Sequence, residues 1–240
     1  MNRQKRAFSL GKRTWLTVFV LVILIPATIY FFSNIGGRTY YLVSLLIIAY
    51  TMFPFFLVFE KRKPQARELV VLAVLCALAV ASRAAFKMVD HFKPMTAIIM
   101  ISGIAFGPEA GFLVGAVSGF TSNFFFGQGP WTPWQMFAFG TGGFLAGLFF
   151  RLNLLSKNRL PLSVFGFFAV VLFVGPLLDS SHLFTMVSEI NSDTIKATYL
   201  SGLPVNLIHG LATFLTLFFF SKPLFEKLDR IQVKYGMLED

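Results

Sequence analysis

Charge is scarce in this chain. Asp, Glu, Lys and Arg make up 13% of its 240 residues, against about a quarter in a soluble globular domain. Cysteine is almost absent. The single Cys76 excludes an intramolecular disulfide, and its place inside an apolar run makes it a small packing residue rather than a reactive thiol. Catalytic signatures are missing as well. There is no Gly-x-x-x-x-Gly-Lys-Ser/Thr loop and no His-Glu-x-x-His pair, so if the protein moves something uphill by ATP hydrolysis, the ATPase is another chain. Acidic residues are few, 11 against 21 Lys and Arg, for a formal charge of +10. The basic residues are segregated between apolar stretches, which argues against a nucleic-acid partner.

What remains is a membrane composition. Hydrophobic residues reach 56%, Phe alone contributes 31, and mean hydropathy is +0.71. A spanning helix needs ~20 mostly apolar residues. Eight stretches qualify: 15–33, 40–59, 68–85, 95–106, 109–126, 133–150, 161–178 and 203–220. The fourth is short, about 18 Å at ~1.5 Å per residue. It is expected to be a tilted partial span or to extend outward past Pro94. Five basic residues precede the first stretch, as in a signal peptide. No small-x-small cleavage site follows it, so it reads as a retained signal anchor.

Lys and Arg set the orientation. Segments 1–14, 60–67, 151–160 and 221–240 hold five, four, three and four of them, while the alternate segments hold Arg38, Arg83, Lys87, Lys93 and Lys196. The expected fold class is an all-α integral membrane protein with eight transmembrane helices and both termini inside. It divides into a two-helix hairpin (1–59), a basic linker (60–67), a six-helix core (68–221) and a basic tail (222–240). The expected location is the cell membrane.

Eleven of the nineteen glycines fall between Gly103 and Gly147. Gly103, Gly107, Gly111, Gly115 and Gly119 recur every fourth residue, a spacing that lets backbones approach closely. Pro108 interrupts the run, so it cannot form one stripe. It leads into Gly127-Gln128-Gly129-Pro130-Trp131-Thr132-Pro133-Trp134. Two prolines, two glycines and two tryptophans in eight residues exceed what an interfacial aromatic belt needs.

At the same outer level stand Arg83, Lys87, Asp90, His91 and Lys93 after the third stretch, and Asp179, Ser180, Ser181, His182 and Glu189 in the loop after the seventh. Ser122 and Asn123 end the fifth, and Gln135 lies at the start of the sixth. Flat indoles beside side chains that donate and accept suit a planar, polar-edged small molecule. The candidate binding residues are therefore Arg83, His91, Asn123, Gln128, Trp131, Trp134, Gln135, Asp179 and His182, with Asn206 and His209 deeper on one helix face. The plainer reading of the outer groups is ordinary solvated loop. For His209 it is a satisfied core histidine. A different class, an intramembrane serine protease, would pair Ser118 of Gly115-Ala116-Val117-Ser118-Gly119 with His209. Ala116 stands where that motif requires glycine.

Ala73, Ala77 and Ala81 form a small-residue stripe on the third stretch. Six spans, this stripe on the first core helix, a polar outward loop after it and no ATPase of its own resemble the S component of energy-coupling factor (ECF) transporters. Gly107-Pro108-Glu109-Ala110-Gly111 and Phe126-Gly127-Gln128-Gly129-Pro130-Trp131-Thr132-Pro133-Trp134-Gln135-Met136 strengthen the likeness, which covers about residues 68–220. The resemblance implies a non-enzymatic, cofactor-free subunit that captures a vitamin from outside. It also implies docking on a transmembrane coupling subunit with two ATPase subunits, and toppling to release the ligand inside. Ala73, Ala77 and Ala81 then match the docking surface, and loop 83–94 the lid. The Gly-Pro-Trp-Thr-Pro-Trp version looks like members associated with cobalamin or a related corrinoid; riboflavin and thiamine are the alternatives. The hairpin 15–59 is extra to the usual six helices.

Overall fold

The computed structural model describes residues 65–236, together with Met52, Phe56, Phe59 and Glu60. The first two expected spans otherwise lie outside the described residues. Within 65–236 the structure has six helices where eight were expected along the whole chain. They are α1 (Ala66–Ala85), α2 (Met95–Phe106), α3 (Pro108–Phe126), α4 (Thr132–Arg151), α5 (Arg159–Met186) and α6 (Ser192–Lys234). Three of them, α1, α5 and α6, are long and apolar enough to cross a membrane by length and composition.

The short α2 is central. Every residue from Met95 to Ile104, and Phe106, is buried. A helix apolar on all sides belongs inside a bundle, so α2 need not match the thickness of the lipid. It begins directly after Pro94 and does not extend outward past it. Gly107, with φ 99°, turns the chain, and Pro108 opens α3 at a position where the missing N–H costs nothing.

The glycine run becomes a seam between α3 and its antiparallel neighbour α4. A Cβ on Gly111 would lie 2.6 Å from the Gly143 carbonyl oxygen and from Gly103 Cα. One on Gly115 would strike the Phe139–Gly140 backbone, and one on Gly119 would come within 3.2 Å of Met136 Cα. Gly103 of α2 meets Gly143 and Gly147 at the same crossing. Three helices thus touch backbone to backbone.

The largest corrections concern helix ends. Residues 179–202 were expected as a loop, but α5 continues to Met186 and α6 starts at Ser192, leaving only 187–191 between them. Inside α5, residues Val170–Val174 form a π-helical turn. Pro176, which lacks the N–H that would bond back to Leu172, follows it; the widened turn absorbs the defect and the helix proceeds. Asn191 fixes the start of α6. Its Oδ1 accepts from the amides of Asp193 (3.0 Å) and Thr194 (2.9 Å), and its own amide donates to Thr194 Oγ1 at 2.9 Å. Pro204 and Pro223 lie within the helix without ending it. At 43 residues, α6 measures about 65 Å, more than twice a ~30 Å hydrocarbon layer.

Its far end is tied to three other elements. Lys157 Nζ meets Asp229 at 3.0 Å, Gln232 Nε2 donates to the Ala105 carbonyl at 2.8 Å, and Arg67 donates to the Tyr235 carbonyl at 2.8 Å. Aliphatic and aromatic side chains such as Val70, Val74, Phe124, Phe125, Leu172, Leu200 and Leu211 are exposed on the outside of the bundle, where lipid would cover them.

Candidate functional site

The bundle end assigned to the outside by Lys and Arg gathers the last turns of α1, α3 and α5 and the first turns of α2 and α4. Arg83, in the last turn of α1, reaches across to α3. It donates to Ser122 Oγ and, at 3.3 Å, to Asn123 Oδ1, with its guanidinium 4.3 Å above the Phe126 ring. Asn123 Nδ2 donates to Thr132 Oγ1 at 3.1 Å, and that hydroxyl donates to Gln128 Oε1 at 2.9 Å while accepting from the Gly129 amide. Arg83, Asn123 and Gln128 therefore belong to one continuous network through Thr132. The network holds the 127–131 turn, where Gly127 has φ 100°. Trp131 is half-buried over Gly129, its indole N–H 3.4 Å from the Gly127 carbonyl.

Trp134 is placed differently from Trp131. It is 1% exposed and stacked on Phe184 of α5 at 5.4 Å and 11°, inside a cluster with Phe112, Phe137, Phe144 and Met52. Its ring is a packing element. The Trp134 Nε1 and the neighbouring Gln135 Oε1 are buried without a hydrogen-bond partner among the described residues.

A second pair joins α5 to α6. Asn206 Nδ2 donates to Asp179 Oδ2 at 2.7 Å. Gly175 and Gly202 make room for it, since a Cβ on the first would overlap the Asn206 amide and one on the second the Asp179 carboxylate. Deeper still, His209 Nε2 lies 2.7 Å from Thr96 Oγ1 of α2, with Phe139 edge-on at 6.2 Å. His209 and Asn206, one turn apart, thus engage different helices. His91, with φ 60°, and His182 are exposed; His182 lies within α5 rather than in a loop.

The serine–histidine dyad is not formed. His209 is engaged by Thr96, and Ser118 Oγ is buried beside the glycine seam without a hydrogen-bond partner among the described residues. Cys76 packs against α3, its Sγ 3.7 Å from the Val114 carbonyl. Ala73, Ala77 and Ala81 are all exposed on α1, so the stripe is not used to pack the described bundle. No group of three His, Cys, Asp or Glu among the described residues has the arrangement to hold a metal ion.

Lys93, absent from the sequence-derived set, sits half-buried just before α2. Burial of its ammonium pushes its pKa down to about 8; Arg83 adds to the depression and Asp179 opposes it. The sequence signal was present, a lysine directly before Pro94 at the head of a wholly apolar helix. Thr96 and Phe184, the partners of His209 and Trp134, carried no signal beyond their residue types.

The family model described as ECF-type riboflavin transporter, S component, matches residues 63–224. A UPF0397 protein of Vibrio atlanticus is 34% identical over 85 residues, which cover 35% of this chain and 46% of that protein. One from Aliivibrio salmonicida is 32% identical over 91 residues, covering 36% and 48%. The chain thus spans about half the length of these curated relatives. No solved structure matches it. The family match covers α1 to α5 and most of α6, the same helices that carry the seam and the polar networks, and on it the chain belongs to the family of ECF transporter S components.

Proposed function

We propose that this chain captures a compact, ring-containing vitamin of the flavin kind at the outer end of α1, α3, α4 and α5 and passes it inward. It does so by docking on a transmembrane coupling subunit energised by two ATPase subunits. The observation that carries the reading is the family match across residues 63–224, laid over a bundle end where Arg83, Asn123, Thr132 and Gln128 form one hydrogen-bonded frame.

Flavin is favoured over the corrinoid first expected. The corrinoid reading leaned on the likeness of the Gly-Pro-Trp-Thr-Pro-Trp segment to members associated with cobalamin, with an aromatic rim to suit a large amphipathic ligand. With Trp134 packed behind Phe184, Trp131 alone remains half-buried beside the turn. That arrangement suits one flat ring with a polar edge. Candidate contacts are Arg83, His91, Asn123, Gln128, Trp131, Gln135, Asp179 and His182, with Asn206 and His209 supporting the floor. Trp134 backs the wall. The exposed Ala73, Ala77 and Ala81 supply the docking stripe. Both termini face the cytoplasm on this reading, as the Lys and Arg distribution favours.

The test is ligand retention by the full chain purified in detergent. Riboflavin should bind below micromolar and quench on binding, whereas cobalamin should not be retained. Retention of cobalamin in place of riboflavin would reject the flavin choice. Failure to hold any vitamin below micromolar would reject capture itself.

A further inference from the structure

Two cations, Arg83 and Lys93, share the proposed site with one carboxylate near them, Asp179. Arg83 donates to the neutral oxygens of Ser122 and Asn123 and lies over Phe126. Lys93 has no hydrogen bond or ion pair among the described residues. Both are half-buried, and the charge of Arg83 acts on Lys93. Asp179 of α5 is near enough to attract Lys93, but its Oδ2 is engaged by Asn206 at 2.7 Å. Of the other titratable groups nearby, His91 of the same loop and His209 of α6 bring no negative charge, Asp90 of that loop is exposed and has no ion pair among the described residues, and Lys87 lies 5.7 Å from the centroid of the Phe126 ring. Partly desolvated charges are ordinarily paired, because leaving water without a counter-charge is costly. Two cations thus share one carboxylate that Asn206 already engages, so the cluster carries an excess positive charge that an anion would complete.

We propose that Lys93, with Arg83 beside it, recognises an anionic group, a phosphate or a carboxylate, on the transported ligand. This deepens the reading above and rests on it: the frame around Thr132 holds the ring, and Lys93 selects among molecules that share the ring but differ in charge. A charge-assisted hydrogen bond to such a group is about twice as strong as a neutral one.

The experiment compares ligand pairs on the purified full chain. Riboflavin is set against flavin mononucleotide, which adds a phosphate, and nicotinamide against nicotinate, which places a carboxylate on a small ring. The charged member of at least one pair should bind roughly tenfold tighter, the effect of one charge-assisted contact. Which pair responds separates phosphate from carboxylate. Lys93→Gln should bring the two members within about twofold while leaving the neutral one's affinity in place, and Lys93→Arg should keep the preference. Equal or tighter binding of the neutral member in both pairs overturns the inference while leaving vitamin capture standing. Equal loss of both members in Lys93→Gln also overturns it, because that is the signature of a purely structural lysine. If no compound of either pair binds, the capture reading falls and this inference falls with it.

Discussion

Lys93 makes a prediction that needs no ligand. Its ordinary pKa is 10.5 and its folded value about 8. Between those values the unfolded chain binds more protons than the folded one, so the lysine's contribution to stability rises with pH across that window. Below about pH 8 the full penalty for keeping the ammonium half-buried is present. The ligand-free chain should gain thermal stability from pH 8 toward pH 10, and Lys93→Met should lack that gain. Parallel melting profiles for the two proteins would reject the assignment. This behaviour could not be read from sequence, because it depends on burial of the ammonium and on Arg83 and Asp179 converging on it from α1 and α5. Arg83, Asn123 and Gln128 were legible because polar groups at the ends of apolar stretches stand out. The division of labour between Trp131 and Trp134 was not: it is decided by Phe184, fifty residues later along the chain.

The elements divide the same way. The boundaries of α2, α3 and α4 were visible within a residue or so, since glycine and proline at 107–108 and 127–133 interrupt the chain on both sides. The ends of α5 and the start of α6 were not. Polar residues near a helix end look like loop until the capping by Asn191 and the π-helical turn before Pro176 are seen. The seam between α3 and α4 offers a paired test. Gly143→Ala places a methyl within 2.6 Å of the Gly111 carbonyl carbon and closer still to its oxygen, both backbone atoms that cannot swing aside. Overpacking of this kind costs about 1–3 kcal/mol. Gly127→Ala meets nothing within 4 Å and bears only the strain of its positive φ, about 1 kcal/mol. Chemical denaturation in detergent should therefore rank Gly143→Ala as the more damaging of the two. The reverse order would mean that the seam is looser than the helices' approach indicates.

For the whole molecule, the proposed docking stripe is exposed on α1 while Arg83 of the same helix reaches inward to α3, so on the proposed reading docking and binding should separate. Ala77→Trp puts a large ring on a face that packs against no described helix. Vitamin binding by the isolated chain should be unchanged within about twofold, and uptake by the assembled transporter should fall at least tenfold, as when one bulky clash removes a small-residue interface. Loss of both together would tie the stripe to the fold of the site. The family, the helical class and the internal use of the glycines could be inferred from the chain alone. The ligand could not, since a bundle of this kind fixes where a small molecule sits more firmly than which one it is.

The backbone seam has a mechanical consequence. Where α2, α3 and α4 touch through main-chain atoms at Gly103, Gly111 and Gly143, no side chain is left to change rotamer and no slack is left for one helix to slide past another. Those three helices behave as a solid keel. A carrier built on such a keel is poorly suited to opening by parting its own staves, and better suited to heeling over as one body. What give it has lies in the α5 rail, at the wide turn Val170–Val174 and the Gly175-Pro176 step, close in the chain to Asp179 and its bond to Asn206.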